Sequence, residues 1–238
     1  MPRLPRINLI DISQHVIQRG NNRQACFFED ENYQVYLDKL FEYSQKYSVD
    51  IHAFVLMTNH VHLLVTPRIA NGVSLMMQSL GRYYVRYINQ TYKRSGTLWE
   101  GRFKSNLVDK DDYFLIVTRY IEFNPIRAKM VAKPESYPWS SYHQHALGKH
   151  IKLLTEHICY LNLGDSPQTR QQAYQQLCEL SLHSQVTNNI REAVNKSLIL
   201  GHDKFKTQIE TQLGRVITPK VRGGDRKSKE YLKKIAVR

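Results

Sequence analysis

The sequence has few cysteines, no long apolar run and a shortage of acidic residues. Its three cysteines, Cys26, Cys159 and Cys178, are too few and too far apart for a disulfide framework or a paired zinc motif, which predicts a protein of the reducing cytosol. No apolar stretch approaches the roughly 18 residues of a membrane span. The first residues lack the apolar core of a secretory signal. A hydrophobic share of 42% and a charged share of 23% exclude wholesale disorder.

The net charge is strongly positive. Lysine and arginine number 34 against 21 acidic residues, which gives +13 over 238 residues and a pI near 9.6. A pI above about 9 is typical of nucleic-acid-binding proteins, although membrane surfaces and ribosomes also attract cations. The 15 tyrosines could stack on unpaired bases, but most are expected in the core or at the surface.

The order of predicted elements indicates an α+β fold. The predicted strands are 13–19, 51–57, 60–66 and 97–108, and the predicted helices of this part are 31–47, 73–92 and 112–123. Two strand-like runs flank Thr58-Asn59, which predicts a hairpin. This order is typical of an antiparallel sheet with helices packed on one face.

The pattern changes near residue 150. Strand-like runs disappear, and helices are predicted at 168–181, 188–200 and 203–213, before a basic end that starts at Thr218. We therefore predict a first domain at 1–148 and a helical C-terminal extension with a basic tail at 149–238.

His60-Val61-His62 is the sharpest candidate for chemistry. Residues two apart on a strand point to the same face, so both imidazoles can converge on one metal ion while Val61 turns into the core. The pair alone is weak evidence, because such pairs also occur without a metal. His15 and His52 are isolated in the sequence, and we predict a structural or surface role for them.

The helix predicted at 112–123 offers a second candidate. Tyr120 and Asn124 are four residues apart and share one helix face. A phenol is a possible nucleophile, and an amide oxygen is a fair ligand for a hard divalent ion. The alternative is structural: a tyrosine that only packs, and an asparagine before Pro125 that caps the helix end.

Four motifs that contain these residues occur in order. They are Met57-Thr-Asn-His60-Val-His62-Leu-Leu-Val65, Gly96-Thr-Leu-Trp99-Glu-Gly-Arg102-Phe103, Tyr120-Ile-Glu-Phe-Asn124-Pro125-Ile-Arg127-Ala128 and Tyr137-Pro-Trp139-Ser140-Ser141-Tyr142. At this spacing the chain resembles the single-tyrosine HUH transposases, and within them most of all the REP-associated tyrosine transposases of prokaryotes, encoded near repeated extragenic palindromes. The resemblance covers about residues 8–145, and the region after about 180 looks like the extension of longer members.

The resemblance implies a ferredoxin-like or RRM-like HUH core and a specific site. It implies that His60, His62 and Asn124 bind Mg²⁺ or Mn²⁺ and that Tyr120 is the nucleophile, which forms a 5′-phosphotyrosine. The implied partner is single-stranded hairpin DNA, from repeated extragenic palindromes or insertion-sequence ends, bound by a nucleoid-associated monomer or homodimer. Tyr113 is the next candidate for the nucleophile.

Basic residues near these motifs are candidates for backbone contacts. They are Arg19, Arg23, Arg82, Arg86, Lys93, Arg94, Arg102, Lys104 and Arg127. Trp99 and Phe103 could stack on bases, but core packing is favoured. Two alternatives to an active transposase remain: a retired protein that only binds hairpins, and a small metallohydrolase that uses His60 and His62. The latter lacks a third histidine in the motif.

Overall fold

The computed structural model describes residues 7–214, so the basic tail predicted from Thr218 lies outside the described residues. The four strands of the described part are β1 (Gln14–Arg19), β2 (Val49–Met57), β3 (His60–Pro67) and β4 (Lys104–Leu107). Its helices are α1 (Asp30–Lys46), α2 (Gly72–Thr91), α3 (Lys110–Glu122), α4 (Asn124–Arg127), α5 (Tyr142–His145), α6 (Ile158–Leu161), α7 (Pro167–Glu179), α8 (Ser184–Lys196) and α9 (Asp203–Leu213). None of these helices is long and apolar enough to cross a membrane.

The strands form one antiparallel sheet in the order β2-β3-β1-β4. The predicted hairpin is confirmed, because β2 and β3 pair directly and Thr58-Asn59 forms the turn between them. Only Lys104–Leu107, a third of the strand predicted at 97–108, forms a strand. Gly96 and Gly101 adopt positive φ angles of 86° and 132°, which are unfavourable for other residues, and the chain stays irregular until Lys104.

Helices cover both faces of the sheet. The predicted α+β class is confirmed, but the expected placement of the helices on one face is not. Val61, Leu63 and Val65 of β3 pack with α1 and α2 in one buried cluster. The alternate residue Leu64 packs with α3 in a second cluster on the opposite face. Because strand side chains alternate, these apolar residues let both faces of β3 be buried.

The capping of α3 sets where the Tyr120 helix begins. Asp109 precedes the helix, and its carboxylate accepts a hydrogen bond from the backbone N–H of Asp111. Phe114, Val117 and Ile121 then form the buried stripe that holds α3 on the sheet. The predicted helix and its packing face are therefore confirmed, with the start two residues earlier than predicted.

Helices after residue 150 pack on the same body. Ile190 and Ala193 of α8 share a buried cluster with Val117 and Tyr120 of α3. Phe205 and Ile209 of α9 pack against β4. Side chains from both sides of the predicted boundary at 148 and 149 thus share buried clusters, and the division into two domains stays a prediction.

Candidate active site

The site begins with the two histidines of β3. Their ring centroids are 5.1 Å apart, which confirms that the strand places both on one face. Nδ1 of His60 lies 2.6 Å from Oδ1 of Asn59, and the Asn59 amide nitrogen in turn donates to the carbonyl of Arg23. This orientation of the amide makes His60 Nδ1 the hydrogen-bond donor, so Nε2 of His60 keeps the lone pair that a metal ion would need.

A third histidine completes the group. His15 of β1 is fully buried, and its Nε2 lies 2.8 Å from Nδ1 of His62, with the two rings stacked at 5.1 Å. If Nε2 of His62 held a metal ion, its Nδ1–H would donate to His15, and His15 would fix the orientation of the ring. The sequence analysis missed this role of His15, because only the pairing of β1 with β3 brings the two residues together.

Burial keeps these histidines neutral. Desolvation lowers the pKa of His60 to about 4, with a smaller contribution from the Arg19 charge. Desolvation also lowers the pKa of His62 well below its ordinary value, and the pKa of His15 to about 3. A neutral imidazole has a free lone pair, which is the form that binds a metal ion.

Tyr120 faces the same group from α3. Its ring is almost fully buried and lies edge-on to the rings of His15 and His62, at a centroid distance of 5.9 Å in each case. The guanidinium of Arg127 lies 4.2 Å from the centroid of the Tyr120 ring and also donates to the Tyr120 carbonyl. The structure therefore brings the predicted nucleophile next to the predicted metal ligands and adds one cation.

Arg127 remains a cation in this setting. Burial lowers its pKa to about 10, and the Tyr120 phenol opposes that shift. The sequence predicts Arg127 as a contact of the DNA backbone, and the structure places its half-buried side chain beside Tyr120.

Asn124 is held at the end of α3. Its amide nitrogen donates to the carbonyls of Tyr120 and Ile121, at 3.1 and 3.3 Å. The structure therefore confirms the alternative in which Asn124 caps the end of the helix. A role as metal ligand would fall to Oδ1, because the nitrogen of the amide is a donor only.

The other predicted basic residues fall into separate groups. Arg82 and Arg86 of α2 line a cleft together with Arg102, and Arg102 also lines a small hollow with Arg19 and Lys104. Arg94 lies over the ring of Phe28, and Arg23 and Lys93 are exposed. Trp99 and Phe103 are 5% and 7% exposed, so their rings pack in the protein and are not open for stacking on bases, as predicted.

Two further groups of histidines and acids have structural explanations. The ring nitrogens of His52 lie 2.8 Å from the Thr155 carbonyl and from the Thr66 hydroxyl, which confirms its structural role. Asp109, Asp112 and His202 place donor atoms within 4.8 Å of one another. Asp109 and His202 cap α3 and α9, however, and capping accounts for their positions.

The structure thus combines an antiparallel sheet, which carries two histidines on one strand, with a buried tyrosine on the facing helix. Residues 8–124, just under half of the chain, match the family model described as "Transposase IS200 like". The resemblance to the REP-associated tyrosine transposases is confirmed by a curated relative, and a solved structure supports the fold.

The first relative is a curated protein of Haemophilus influenzae named "Putative REP-associated tyrosine transposase". It is 24% identical over 111 residues, which is 42% of this chain and 62% of the relative. The second is a solved structure of a REP-associated tyrosine transposase bound to a REP hairpin. It has 16% identity and a TM-score of 0.55, and the match covers 66% of this chain and 93% of that chain. At this identity the second relative supports the fold.

Proposed function

We propose that this protein is a metal-dependent DNA strand transferase. It recognises a DNA hairpin, cleaves the single strand beside the hairpin through a 5′-phosphotyrosine on Tyr120, and rejoins strands. One observation carries the proposal: the ring of Tyr120 lies 5.9 Å from the ring of His62 in a chain whose residues 8–124 match the IS200-like transposase family model. Both residues belong to the same chain, which supports a site completed within one copy.

Tyr120 supplies the nucleophile. Its phenolic oxygen forms a bond to phosphorus while the bond from phosphorus to the 3′ oxygen breaks, the phenolic proton passes to solvent, and the 3′ oxygen takes up a proton and leaves as a hydroxyl. The Arg127 cation, 4.2 Å from the centroid of the Tyr120 ring, would stabilise the negative charge of a phosphate brought to Tyr120. A 3′-hydroxyl of another strand can reverse the attack without ATP, because the phosphotyrosine keeps the bond energy.

The donor atoms suit a divalent ion. Nε2 of His60, Nε2 of His62 and Oδ1 of Asn124 would hold Mg²⁺ or Mn²⁺, and both imidazoles are in the neutral form that binding needs. An ion bound there would polarise the scissile phosphate and neutralise charge on its oxygens. His15 and Asn59 orient the two rings through their hydrogen bonds to Nδ1.

Hairpin DNA is the proposed substrate, from repeated extragenic palindromes or insertion-sequence ends. The net charge of +13 supports this choice, and so do the arginines that line the two hollows sharing Arg102. A solved relative with the same fold is described as bound to a REP hairpin. The cleaved bond must be unpaired, because Tyr120 is buried and only a flexible single strand can be drawn to it.

The test is incubation of the full chain with end-labelled hairpin DNA that has single-stranded flanks, in Mn²⁺, followed by a denaturing gel. A covalent protein–DNA adduct that is absent in excess chelator is the expected result. Binding of the hairpin without an adduct would instead identify a retired DNA-binding protein. If neither binding nor an adduct is found, the transferase proposal is wrong.

A further inference from the structure

A large cleft lies on the opposite face of the sheet from Tyr120. It has a volume of about 1140 Å³ and runs between α2 and residues 97–103. Its walls are mainly apolar and include Leu75, Met77, Val85 and Phe103. Three exposed arginines also line it: Arg82, Arg86 and Arg102. An apolar cleft lined by exposed cations fits a flat ring that is attached to a phosphate.

Two polar atoms lack partners in the lining of this cleft. Oε1 of Gln18 and Nε1 of Trp99 are buried and have no hydrogen-bond partner, and both residues line the cleft at 7% and 5% exposure. Buried polar groups are normally paired, since an unpaired one costs free energy. One of the two atoms is an acceptor and the other is a donor, so together they match the edge of a base that carries a donor beside an acceptor.

Gly81 keeps the space above these atoms open. It lies in the interior of α2, where glycine is less favourable than alanine. A Cβ at this position would lie 3.9 Å from Nε2 of Gln18 and 4.0 Å from Nε1 of Trp99. These are ordinary contact distances, so alanine fits the fold, but its methyl group would cover the two polar side chains.

The cleft is connected to the candidate active site through the sheet. Gln18 is paired with Val61 in the strand register, and the next pair is Ile17 with His62. Gly101 and Arg102 line both the cleft and the small hollow that contains Arg19. A DNA strand that passes round this edge would reach both faces.

We propose that this cleft is a nucleobase pocket, which binds one unpaired base of the DNA strand through Gln18 and Trp99 while the arginines hold the neighbouring phosphates. The inference rests on the proposed function, because it takes the occupant to be part of the same DNA. It adds a specificity site that is separate from Tyr120 and the histidines of β3.

The test combines an abasic scan with Gly81→Ala. The probes are hairpin DNAs with single-stranded flanks, in which each unpaired nucleotide is replaced in turn by an abasic site. With the unaltered protein, we expect one position to raise the Kd by roughly 5- to 150-fold, the range for loss of one stacked base. In Gly81→Ala the same replacement should have little effect, because the added methyl group already covers Gln18 and Trp99.

The melting temperature of Gly81→Ala distinguishes a binding role of the cleft from a role of Gly81 in packing. Gly81→Ala should raise Tm by about 1–4 °C through its higher helix propensity, even though it weakens binding of the intact DNA. Gln90→Ala, an exposed change on α2 outside the cleft, is the matched control and should leave the scan unchanged. Gln18→Met keeps the side-chain volume and removes the polar atoms. It should abolish the rise in Kd at the one sensitive abasic position, as Gly81→Ala does.

The outcomes distinguish this inference from the proposed function. If the unaltered protein forms the adduct but shows no position-specific loss, or if the loss persists unchanged in Gly81→Ala, the nucleobase pocket is wrong and the transferase proposal stands. If the unaltered protein binds none of the hairpin DNAs, both are wrong.

Discussion

Nε2 of His15 lies 2.8 Å from Nδ1 of His62, at a point where two strands far apart in the sequence are neighbours in the sheet. This hydrogen bond orients the ring that we assign to the metal. Replacement of His15 by alanine should therefore weaken Mn²⁺ binding by about 10- to 100-fold, the usual effect of losing such a partner. Calorimetric titration of Mn²⁺ measures the change.

The control for this titration is His150→Gln, which alters an exposed histidine and should bind Mn²⁺ as the unaltered protein does. Circular dichroism in the absence of metal must show that His15→Ala is folded. An unchanged Mn²⁺ affinity in a folded His15→Ala variant would contradict the orienting role.

Tyr120→Phe should abolish the covalent DNA adduct and leave hairpin binding largely intact. The phenolic oxygen is the only atom removed, and the ring still packs between the two histidines and Arg127. A denaturing gel and a binding assay on the same DNA measure the two properties. Tyr113→Phe, on the same helix, is the matched control and should form the adduct normally. The reverse result would make Tyr113 the nucleophile.

A buried carboxylate joins the Tyr120 helix to the C-terminal helices. Glu122, 1% exposed, accepts hydrogen bonds from Ser141 at 2.5 Å and from the Tyr174 hydroxyl at 2.6 Å. Nδ1 of His145 also lies 2.6 Å from this carboxylate. Burial, and then the Glu122 carboxylate, raises the pKa of Tyr174 well above its ordinary value, so its hydroxyl stays a donor.

Tyr174→Phe should therefore lower the free energy of unfolding by about 1.5–3 kcal/mol, because it removes a hydrogen bond to a charged acceptor. Tyr160→Phe is matched to it: Tyr160 is buried in the same cluster, but its hydroxyl donates to the neutral carbonyl of His145 at 2.8 Å. That change should cost only about 0.5–1.5 kcal/mol. Urea unfolding measures both free energies. Equal losses would show that the hydrogen bond to the carboxylate is no stronger than the one to the carbonyl.

Acid should destabilise the protein through its buried histidines. Burial lowers the pKa of His52 to about 4 from an ordinary 6.5. Between about pH 6.5 and pH 4, His52 therefore binds a proton in the unfolded chain but not in the folded chain. The stability that depends on this difference in pKa is complete above about pH 6.5 and is lost as the pH falls towards 4.

His52→Gln should accordingly show a smaller drop in Tm between pH 7 and pH 5 than the unaltered protein does. His150→Gln, at an exposed position, should keep the full drop. Differential scanning calorimetry across this range makes the comparison. An equal pH dependence in all three proteins would refute the assignment to His52.

The sequence alone determined the local features of the site. A strand has a period of two, so His60 and His62 had to share a face, and the two-residue turn at Thr58-Asn59 fixed the hairpin. The cap at Asp109 and the apolar stripe of α3 likewise predicted the helix that carries Tyr120. Ordered motifs then identified the family, because each one constrains residue types at a fixed spacing.

Only the tertiary structure decided what depends on strand order and on the face that each helix covers. His15 meets His62 because β1 pairs with β3, and no periodicity in either segment encodes that pairing. The position of α3 opposite α1 and α2 buries both faces of the sheet, which an alternating pattern on one strand cannot reveal. The cleft of Gln18, Gly81 and Trp99 joins three distant segments. Such contacts arise from long-range packing, whereas sequence patterns report only the conformation of the segment that contains them.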